Sequence, residues 1–487
     1  GIQASVSNVA VGHNALSAAV DNNGLCTSIG HNTLANNTAA WVTAIGSQAL
    51  QSNTSGEKNV AIGHAALYTN QTGDFNVAVG TGSLQLLNHE DADANTAIGH
   101  GAGSGITEGN KNVAVGTYAL DATSGTGSSN TAVGYATLSA NTSGGANTAL
   151  GYQAGLTQTD GVNNLAVGFN ALRLNASGDD NTAVGTYALD QNLESDNVAV
   201  GYAAATSNTT GIHNTALGYQ ALYTNVDGDK NTAIGYQSLF TMEPSDGTSG
   251  NTGVGFQSGY GISTGLYNTA IGAYALDATS GTGHSNTAIG YQALTTTTSG
   301  SNNTALGFQA AHNLSTADNN IAIGLGALYT NSDGDANVAV GYDALKYTTS
   351  AGNTGVGYHS LRLNAGGSSN TAIGYNSLAA NVEGQDNVAV GHSALVSANH
   401  ADADGNVAVG YDALGDVTEG NDNIGIGKQS GYRITTGAGN IAIGKNTFFT
   451  NNTTGNQNIG IGTSSCSRLS SGLNNVAIGQ QSLFFNQ

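Results

Sequence analysis

Residues 231–235 read Asn-Thr-Ala-Ile-Gly, and close copies of this pentapeptide recur along the chain, as NVAVG at 8–12 and NVAIG at 475–479. Its last residue, here called the motif glycine, occurs at 28 places from Gly12 to Gly479. The first residue is Asn in 26 copies, the third is Ala in 23, and the fourth is always aliphatic. A repeat this dense predicts a solenoid, in which each copy forms one coil that stacks on the next.

The spacing between motif glycines indicates what each coil contains. Most intervals are 17 residues long and the range is 16 to 20, which is too short for a helix-turn-helix unit of about 34 residues. After the pentapeptide comes a small-plus-leucine pair, such as Ala221-Leu222, and then a Thr/Asn/Ser/Gly turn. We therefore predict two short strands and two turns per coil. The fold class is all-β, a parallel β-solenoid or β-roll of about 28 coils of ~17 residues.

Each repeated position has a mechanical explanation. Glycine permits positive φ or close backbone approach where the strand ends, and a central alanine indicates a narrow interior. Asparagines that lie above one another can form a hydrogen-bonded ladder which satisfies buried turn backbone. The ladder positions that we single out at the two ends and the middle of the chain are Asn8, Asn231, Asn475, Gly12, Gly235 and Gly479.

Strand alternation sends the first and third residues of the pentapeptide to one side and the second and fourth to the other. If alanine lines the interior, the aliphatic fourth residue forms an apolar row on the outside. Soluble monomers rarely expose such a row, so we expect another subunit to cover it, most simply in a closed trimer. The opposite assignment, with the aliphatic residue inside, would remove that need. Tyrosine follows the motif glycine in ten coils, where the rings can stack as a structural column or bind sugars.

Amino-acid composition limits the classes of partner that the chain is expected to bind. Of 487 residues only 8% are charged, 39% are hydrophobic and 72 are glycine, and 10 Lys and Arg face 31 Asp and Glu for a net charge of −21. Nucleic acid and anionic membrane surfaces need clustered cations, so neither is an expected partner. The sequence contains no run of 18 apolar residues, so it predicts no membrane-spanning helix. Cys26 and Cys466 lie at opposite ends of a solenoid, too far apart for a disulfide, and we expect both to be buried.

The pentapeptide with the following small residues resembles the head-domain repeats of trimeric autotransporter adhesins and the related NTAIG-repeat fibre proteins of phages and large viruses. The similarity covers residues 8–484. The resemblance implies a left-handed parallel β-roll, trimeric packing and an adhesive role outside the cell or on a virion. The head repeat of the adhesins is shorter than this one, and no heptad stalk, neck or membrane-anchor barrel is visible in the sequence.

A longer period is superimposed on the coils. The glycine spacings repeat in three blocks of nine coils, 156, 156 and 155 residues long. We therefore divide the chain into units at residues 1–168, 169–324 and 325–479, with a C-terminal end at 480–487. The longest coil of each block carries an acidic loop, at residues 87–95, 240–251 and 397–406. Alternating carboxylates suggest weak calcium sites, with solvated acidic loops as the alternative; the candidates are Asp91, Asp93, Asp402 and Asp404.

No catalytic constellation stands out, because the histidines are scattered and no Ser/His/Asp set can be assigned. We expect no catalysis and no cofactor beyond weakly bound calcium. The predicted function is a structural fibre with an adhesive or surface-attachment role, outside the cell, on a cell surface or on a virion. Its partners would be copies of itself, as a homotrimer or a head-to-tail filament, and a surface glycan or receptor. The alternatives are a scaffold filament of end-to-end solenoids and an ice- or glycan-binding solenoid that uses its threonine rows, as at Thr131, Thr148, Thr182 and Thr215.

Overall fold

The computed structural model describes residues 7–18, 24–244 and 247–483. These residues form an all-β parallel solenoid of about 28 coils, each with one three-residue strand. Contacts divide the chain into two units, Gly1–Ser249 and Gly250–Gln487. The 156-residue period is a property of the sequence, and the three-unit division drawn from it stays a prediction. Residues 484–487 of the predicted C-terminal end lie outside the described residues.

The described residues of the first unit form fourteen strands. They are β1 (Val9–Val11), β2 (Thr27–Ile29), β3 (Thr43–Ile45), β4 (Val60–Ile62), β5 (Val77–Val79), β6 (Thr96–Ile98), β7 (Val113–Val115), β8 (Thr131–Val133), β9 (Thr148–Leu150), β10 (Leu165–Val167), β11 (Thr182–Val184), β12 (Val198–Val200), β13 (Thr215–Leu217) and β14 (Thr232–Ile234).

Another fourteen strands lie in the part of the second unit that the structure describes. They are β15 (Thr252–Val254), β16 (Thr269–Ile271), β17 (Thr287–Ile289), β18 (Thr304–Leu306), β19 (Ile321–Ile323), β20 (Val338–Val340), β21 (Thr354–Val356), β22 (Thr371–Ile373), β23 (Val388–Val390), β24 (Val407–Val409), β25 (Ile424–Ile426), β26 (Ile441–Ile443), β27 (Ile459–Ile461) and β28 (Val476–Ile478).

Within each unit, successive strands pair in parallel and in exact repeat register. In the first unit Ala216 lies opposite Ala233, and in the second Ala372 lies opposite Ala389. The middle residue of every strand is buried while its two neighbours are half-buried or exposed. Of the two assignments that the sequence leaves open, the structure has the one with alanine in the interior and the aliphatic residue facing outward. A column of small side chains holds the coil narrow, because any larger residue would meet its copy in the next coil.

The second half of the coil differs from the prediction of a second strand. Gln220 and Leu222 have φ angles of 51° and 55°, in the left-handed region, and equivalent residues of the other coils repeat this. Because left-handed residues flank Ala221, the side chains of both Ala221 and Leu222 point into the core. Consecutive residues of a strand would instead point to opposite faces. Gln220 N–H donates to Tyr202 O of the preceding coil at 2.9 Å, and Leu222 N–H to Ser238 O of the following coil at 2.9 Å. The backbone is therefore satisfied between coils without a strand.

The motif glycine is required by both conformation and space. Gly218 has φ of +141°, and a Cβ there would lie 2.4 Å from the carbonyl oxygen of Gly235 in the next coil. Gly12 and Gly235 are placed in the same way, with φ of +131° and +129°. A side chain at this position would have to displace backbone rather than a flexible group. The strand therefore ends at a point where only glycine fits.

The motif asparagines are buried and bonded from coil to coil. Asn231 N–H donates to Asn214 Oδ1 at 2.9 Å, and Asn214 Nδ2 donates to Gly228 O at 2.7 Å. In the second unit, Asn475 N–H donates to Asn458 Oδ1 at 3.0 Å. Each side chain thus satisfies the next asparagine's backbone and a turn carbonyl. Asn8 Oδ1 accepts from Cys26 N–H at 2.9 Å, so the backbone bond survives where cysteine replaces asparagine.

A second, shorter ladder of asparagine side chains lies in the turn, seven residues after the motif glycine. Asn225 Nδ2 donates to Asn208 Oδ1 at 2.8 Å, but buried Met242 takes the equivalent place in the next coil. Among the described residues, Asn225 Oδ1 has no hydrogen-bond partner. The same interruption occurs one sequence period away on either side, where Leu87 follows Asn70 and Ala398 follows Asn381. The Oδ1 atoms of these two asparagines also have no hydrogen-bond partner within the part of the chain that the structure describes. These three interruptions fall at the coils with the long acidic loops.

Four strands have glycine at their centre, and serine stands three residues after the motif glycine in all four coils. In three of them the serine hydroxyl crosses the core to the central carbonyl of the next strand. Ser258 Oγ, for example, donates to Ala270 O at 2.6 Å, and Ser430 Oγ donates to Ala442 O at 2.7 Å. A Cβ on Gly425 would lie 2.6 Å from Leu414 Cγ. Glycine at the centre of the strand therefore leaves space in the core that the neighbouring leucine side chain occupies.

Candidate functional surface

The outward side of the strands is a regular surface of each unit. We call the first and third residues of the strands, taken together, the flat face. The third residue is aliphatic in every coil, and many of these side chains are more than a third exposed, including Ile98 and Leu150 in the first unit and Ile373 and Ile426 in the second. In-register pairing stacks them into one column within each unit. The flat face therefore presents a continuous apolar column to solvent.

The threonines considered for ice or glycan binding lie on the same face. Thr131 and Thr148 are neighbours in register, but Leu165 occupies the next place. Thr182 pairs with Leu165 on one side and Val198 on the other, and Thr215 likewise follows Val198. The hydroxyl row is thus interrupted by aliphatic side chains at short intervals.

Aromatic rings form a column beside the flat face, at the residue after the motif glycine. In the second unit, Tyr342, Tyr358, Tyr375, His392 and Tyr411 stack in sequence with centroid separations of 5.0–5.2 Å. These separations match coil spacing and favourable aromatic contact. Because each ring covers the faces of its neighbours, mainly ring edges are exposed. The column stabilises the stack and adds apolar area next to the flat face.

The calcium candidates do not converge. Asp93 Oδ1 accepts from Asp74 N–H at 2.6 Å, and Asp404 Oδ1 accepts from Gln385 N–H at 2.6 Å. Both carboxylates therefore bind the backbone of the preceding coil. Asp91 and Asp402 are exposed, each beside a histidine two residues earlier. No three His, Cys, Asp or Glu side chains are placed to hold a metal ion in the described part of the chain, and the calcium sites stay a prediction.

Both cysteines are buried and free, as predicted. Burial raises the pKa of the Cys26 thiol and of the Cys466 thiol above their ordinary value, which disfavours the reactive thiolate. Cys466 lies in the core, and its Sγ is 3.9 Å from Ser465 Oγ. The geometry gives these thiols a packing role.

Cationic side chains are few, and coil position decides how they are paired. Arg173 forms a bidentate pair with Asp190, the residue at the same coil position one coil later, at 2.7 and 3.1 Å. Arg433 pairs with Asp416, its equivalent one coil earlier, at 2.9 Å. Stacked coils thus place opposite charges directly above one another. Sequence reasoning missed these pairs, although the repeat register alone would have aligned them.

The comparisons with known proteins add no family to this description. No protein-family model matches the chain, and no curated protein matches its sequence. The described residues contain no helix that is long and apolar enough to cross a membrane.

Proposed function

We propose that the chain is a non-catalytic structural fibre protein with an adhesive or surface-attachment role, and that other copies cover its flat face in a homotrimer. The carrying observation is the apolar column of the flat face, which runs beside the aromatic column. Burying apolar surface contributes about 25 cal/mol per Å², and a regular column multiplies a small gain per coil. Identical chains are the simplest cover, because their coils share one spacing and can match side chain for side chain.

Composition and resemblance support a place outside the cell or on a virion. A net charge of −21 on a surface with few cations favours solubility. The resemblance of the pentapeptide to adhesin-head and viral-fibre repeats points to the same setting. The narrow, alanine-lined interior leaves no room for a buried active site, which favours a mechanical role over catalysis.

Mass photometry of the full chain tests the trimer. The wild-type protein should appear at about three times the 48.4 kDa chain mass. Ile373→Lys places a charge in the aliphatic column, and desolvating an unpaired charge in an interface is costly, so this variant should dissociate. Gln385→Lys, on an exposed turn off the flat face, is the matched control and should remain trimeric. A monomeric wild-type protein, or equal behaviour of the two variants, would contradict the proposal.

A second candidate is a scaffold filament of solenoids stacked end to end. Among the described residues, β1 pairs only with β2 and β28 only with β27, and Ile478 is 69% exposed. Unpaired strand edges favour pairing with another chain. Negative-stain electron microscopy separates the two candidates, because trimeric rods would have one length and stacked solenoids would form filaments of variable length.

A further inference from the structure

A cationic notch interrupts the second unit, on the half of the coil that follows the motif glycine. The fifth residues after the motif glycine in four successive coils are Lys346, Arg362, Ala379 and Val396. Two long cations are thus followed by a small alanine and then by a larger valine. A surface cavity of about 250 Å³ opens at this step. We call it the Arg362 notch.

Arg362 breaks the pairing rule that Arg173 and Arg433 follow. Arg173 has Asp190 directly above it, whereas Arg362 has Lys346 on one side and Ala379 on the other. Within the described residues, Arg362 forms an ion pair with buried Asp343, whose Oδ2 lies 3.6 Å from Arg362 Nε. That separation exceeds hydrogen-bond length.

Asp343 is also shared. Its Oδ2 is 3.0 Å from Lys346 Nζ and 3.9 Å from His359 Nε2. The shortest of these contacts is with Lys346, so one carboxylate serves two permanent cations. A net positive charge therefore remains at Arg362, on a chain that is otherwise strongly acidic.

The walls of the notch are mixed in polarity. Ala379, Ala380 and Val396 are apolar, while Asn376 and His359 contribute an amide and an imidazole. Burial, and then the charge of Arg362, lower the pKa of His359. The imidazole is therefore neutral at neutral pH and both donates and accepts hydrogen bonds. Among the residues that line the cavity, the guanidinium of Arg362 carries the permanent positive charge.

We propose that the Arg362 notch binds an acidic sugar, a saccharide unit that carries a carboxylate or sulfate group. The guanidinium pairs with the anion through charge-assisted hydrogen bonds, the amide and neutral imidazole meet hydroxyl groups, and the alanine and valine surfaces contact C–H groups. An acidic peptide fits the notch less well for two reasons. Its side chain carries the negative charge but no neighbouring hydroxyl groups, and the described residues that line the cavity offer no strand edge with which an extended peptide backbone could pair. The inference rests on the adhesive function proposed above and names its ligand class.

Isothermal titration of the full chain with sialyllactose tests the site, with lactose as the neutral probe and a short aspartate-rich peptide as the acidic one. We expect sialyllactose to bind and the other two to bind at least about tenfold more weakly. Arg362→Gln removes the cation and should weaken binding at least about tenfold. Ala379→Asp should do the same, because it places a carboxylate beside Arg362 as Asp190 lies beside Arg173. Arg433→Gln, a paired arginine elsewhere in the unit, is the matched control and should leave affinity unchanged.

Three results would overturn the site. These are equal binding of lactose and sialyllactose, peptide binding as tight as sugar binding, and unchanged affinity in Ala379→Asp. Ala379→Asp keeps the test valid if Arg362→Gln fails to fold, since the substitution adds a surface ion pair. Mass photometry of the same samples separates this inference from the fibre proposal: trimers that bind no acidic sugar refute only the notch.

Discussion

Replacing a motif glycine by alanine should break the contact between two coils, and the second unit offers a matched set for measuring it. At Gly374, φ is +139° and an added Cβ would lie 2.5 Å from Gly391 O and 2.7 Å from Gly391 C. A residue held in this glycine-only region costs about 1–3 kcal/mol. Overpacking against backbone adds about 1–3 kcal/mol. We therefore expect Gly374→Ala to destabilise the adjoining coils by about 2–6 kcal/mol.

Two other glycines separate these contributions. Gly366 does not have positive φ, and an added Cβ there would lie 3.7 Å from its nearest neighbour, Glu383 Cγ; Gly366→Ala should change stability by less than about 0.5 kcal/mol. Gly479 has φ of +118° but nothing within 4 Å of an added Cβ, so Gly479→Ala should carry only the conformational cost of about 1–3 kcal/mol. The difference between Gly374→Ala and Gly479→Ala then gives the steric cost of one coil meeting the next.

Amide hydrogen exchange is the appropriate assay, because long repeat arrays do not unfold as one cooperative unit and opening energies vary along the chain. The reporter is the Gly391 amide, which donates to Ile373 O at 2.8 Å. Its protection should fall sharply in Gly374→Ala, while amides several coils away keep theirs, because each repeat contacts only its neighbours. Equal protection of this amide in Gly374→Ala and Gly366→Ala would refute the argument that the motif glycine is sterically required.

Three further outcomes are expected. Asn370→Ala should cost about 2–4 kcal/mol in the opening energy of its coils, because it orphans the Asn387 N–H and Gly384 O that the side chain bonds at 3.0 and 2.8 Å; unchanged exchange protection at Asn387 would contradict the ladder's role. Burial raises the pKa of Asp277 from 3.8 to about 6, so the folded state holds this proton more tightly than the unfolded state, and stability should fall as pH rises from about 4 to about 6. Asp277→Asn should raise the amide exchange protection of the coils around residue 277 at about pH 7.5 but not at about pH 3.5, and an equal gain at both would argue against titration. Cys466 should react with a thiol reagent only after unfolding, and labelling of the native chain at the rate of a free thiol would contradict its burial.

The strand half of the coil could be predicted from sequence because its constraints are local and repeated. Alternation puts Ala216 and Leu217 on opposite sides of the strand, the structure shows that Ala216 is the inner one, and the invariant glycine indicates a position without room for Cβ. The second half could not be predicted in the same way. Leucine in the left-handed region costs about 1–2 kcal/mol, so no propensity argument selects it for Leu222. The available signal was the adjacent pair Ala221-Leu222, since two consecutive core residues are incompatible with a strand.

The two candidate surfaces also differ in how far the sequence predicts them. The period predicts a continuous aliphatic row, and the burial of the central alanines in the structure decides that this row faces outward. The Arg362 notch depends on which side chains lie one coil apart, and therefore on register to the single residue. The intervals between motif glycines vary from 16 to 20 residues, so sequence distance alone does not align Arg362 with Ala379. Counting five residues from each motif glycine does align Arg362 with Ala379, because the structure keeps the motif glycines in register.

In a solenoid of near-identical coils, the regular positions and the irregular ones carry different information. Asparagine, alanine and glycine recur because every coil must satisfy the same backbone and fill the same narrow core. A departure at such a position weakens the stack locally, as where Met242 leaves Asn225 Oδ1 unpartnered among the described residues, and it recurs three times at one place in the long period. At outward positions a departure has no such cost, so Ala379 beside Arg362 is free to shape a surface. Specific recognition by this protein should therefore be sought where outward columns change, and the notch is the place where a cation, a cavity and a shared carboxylate coincide.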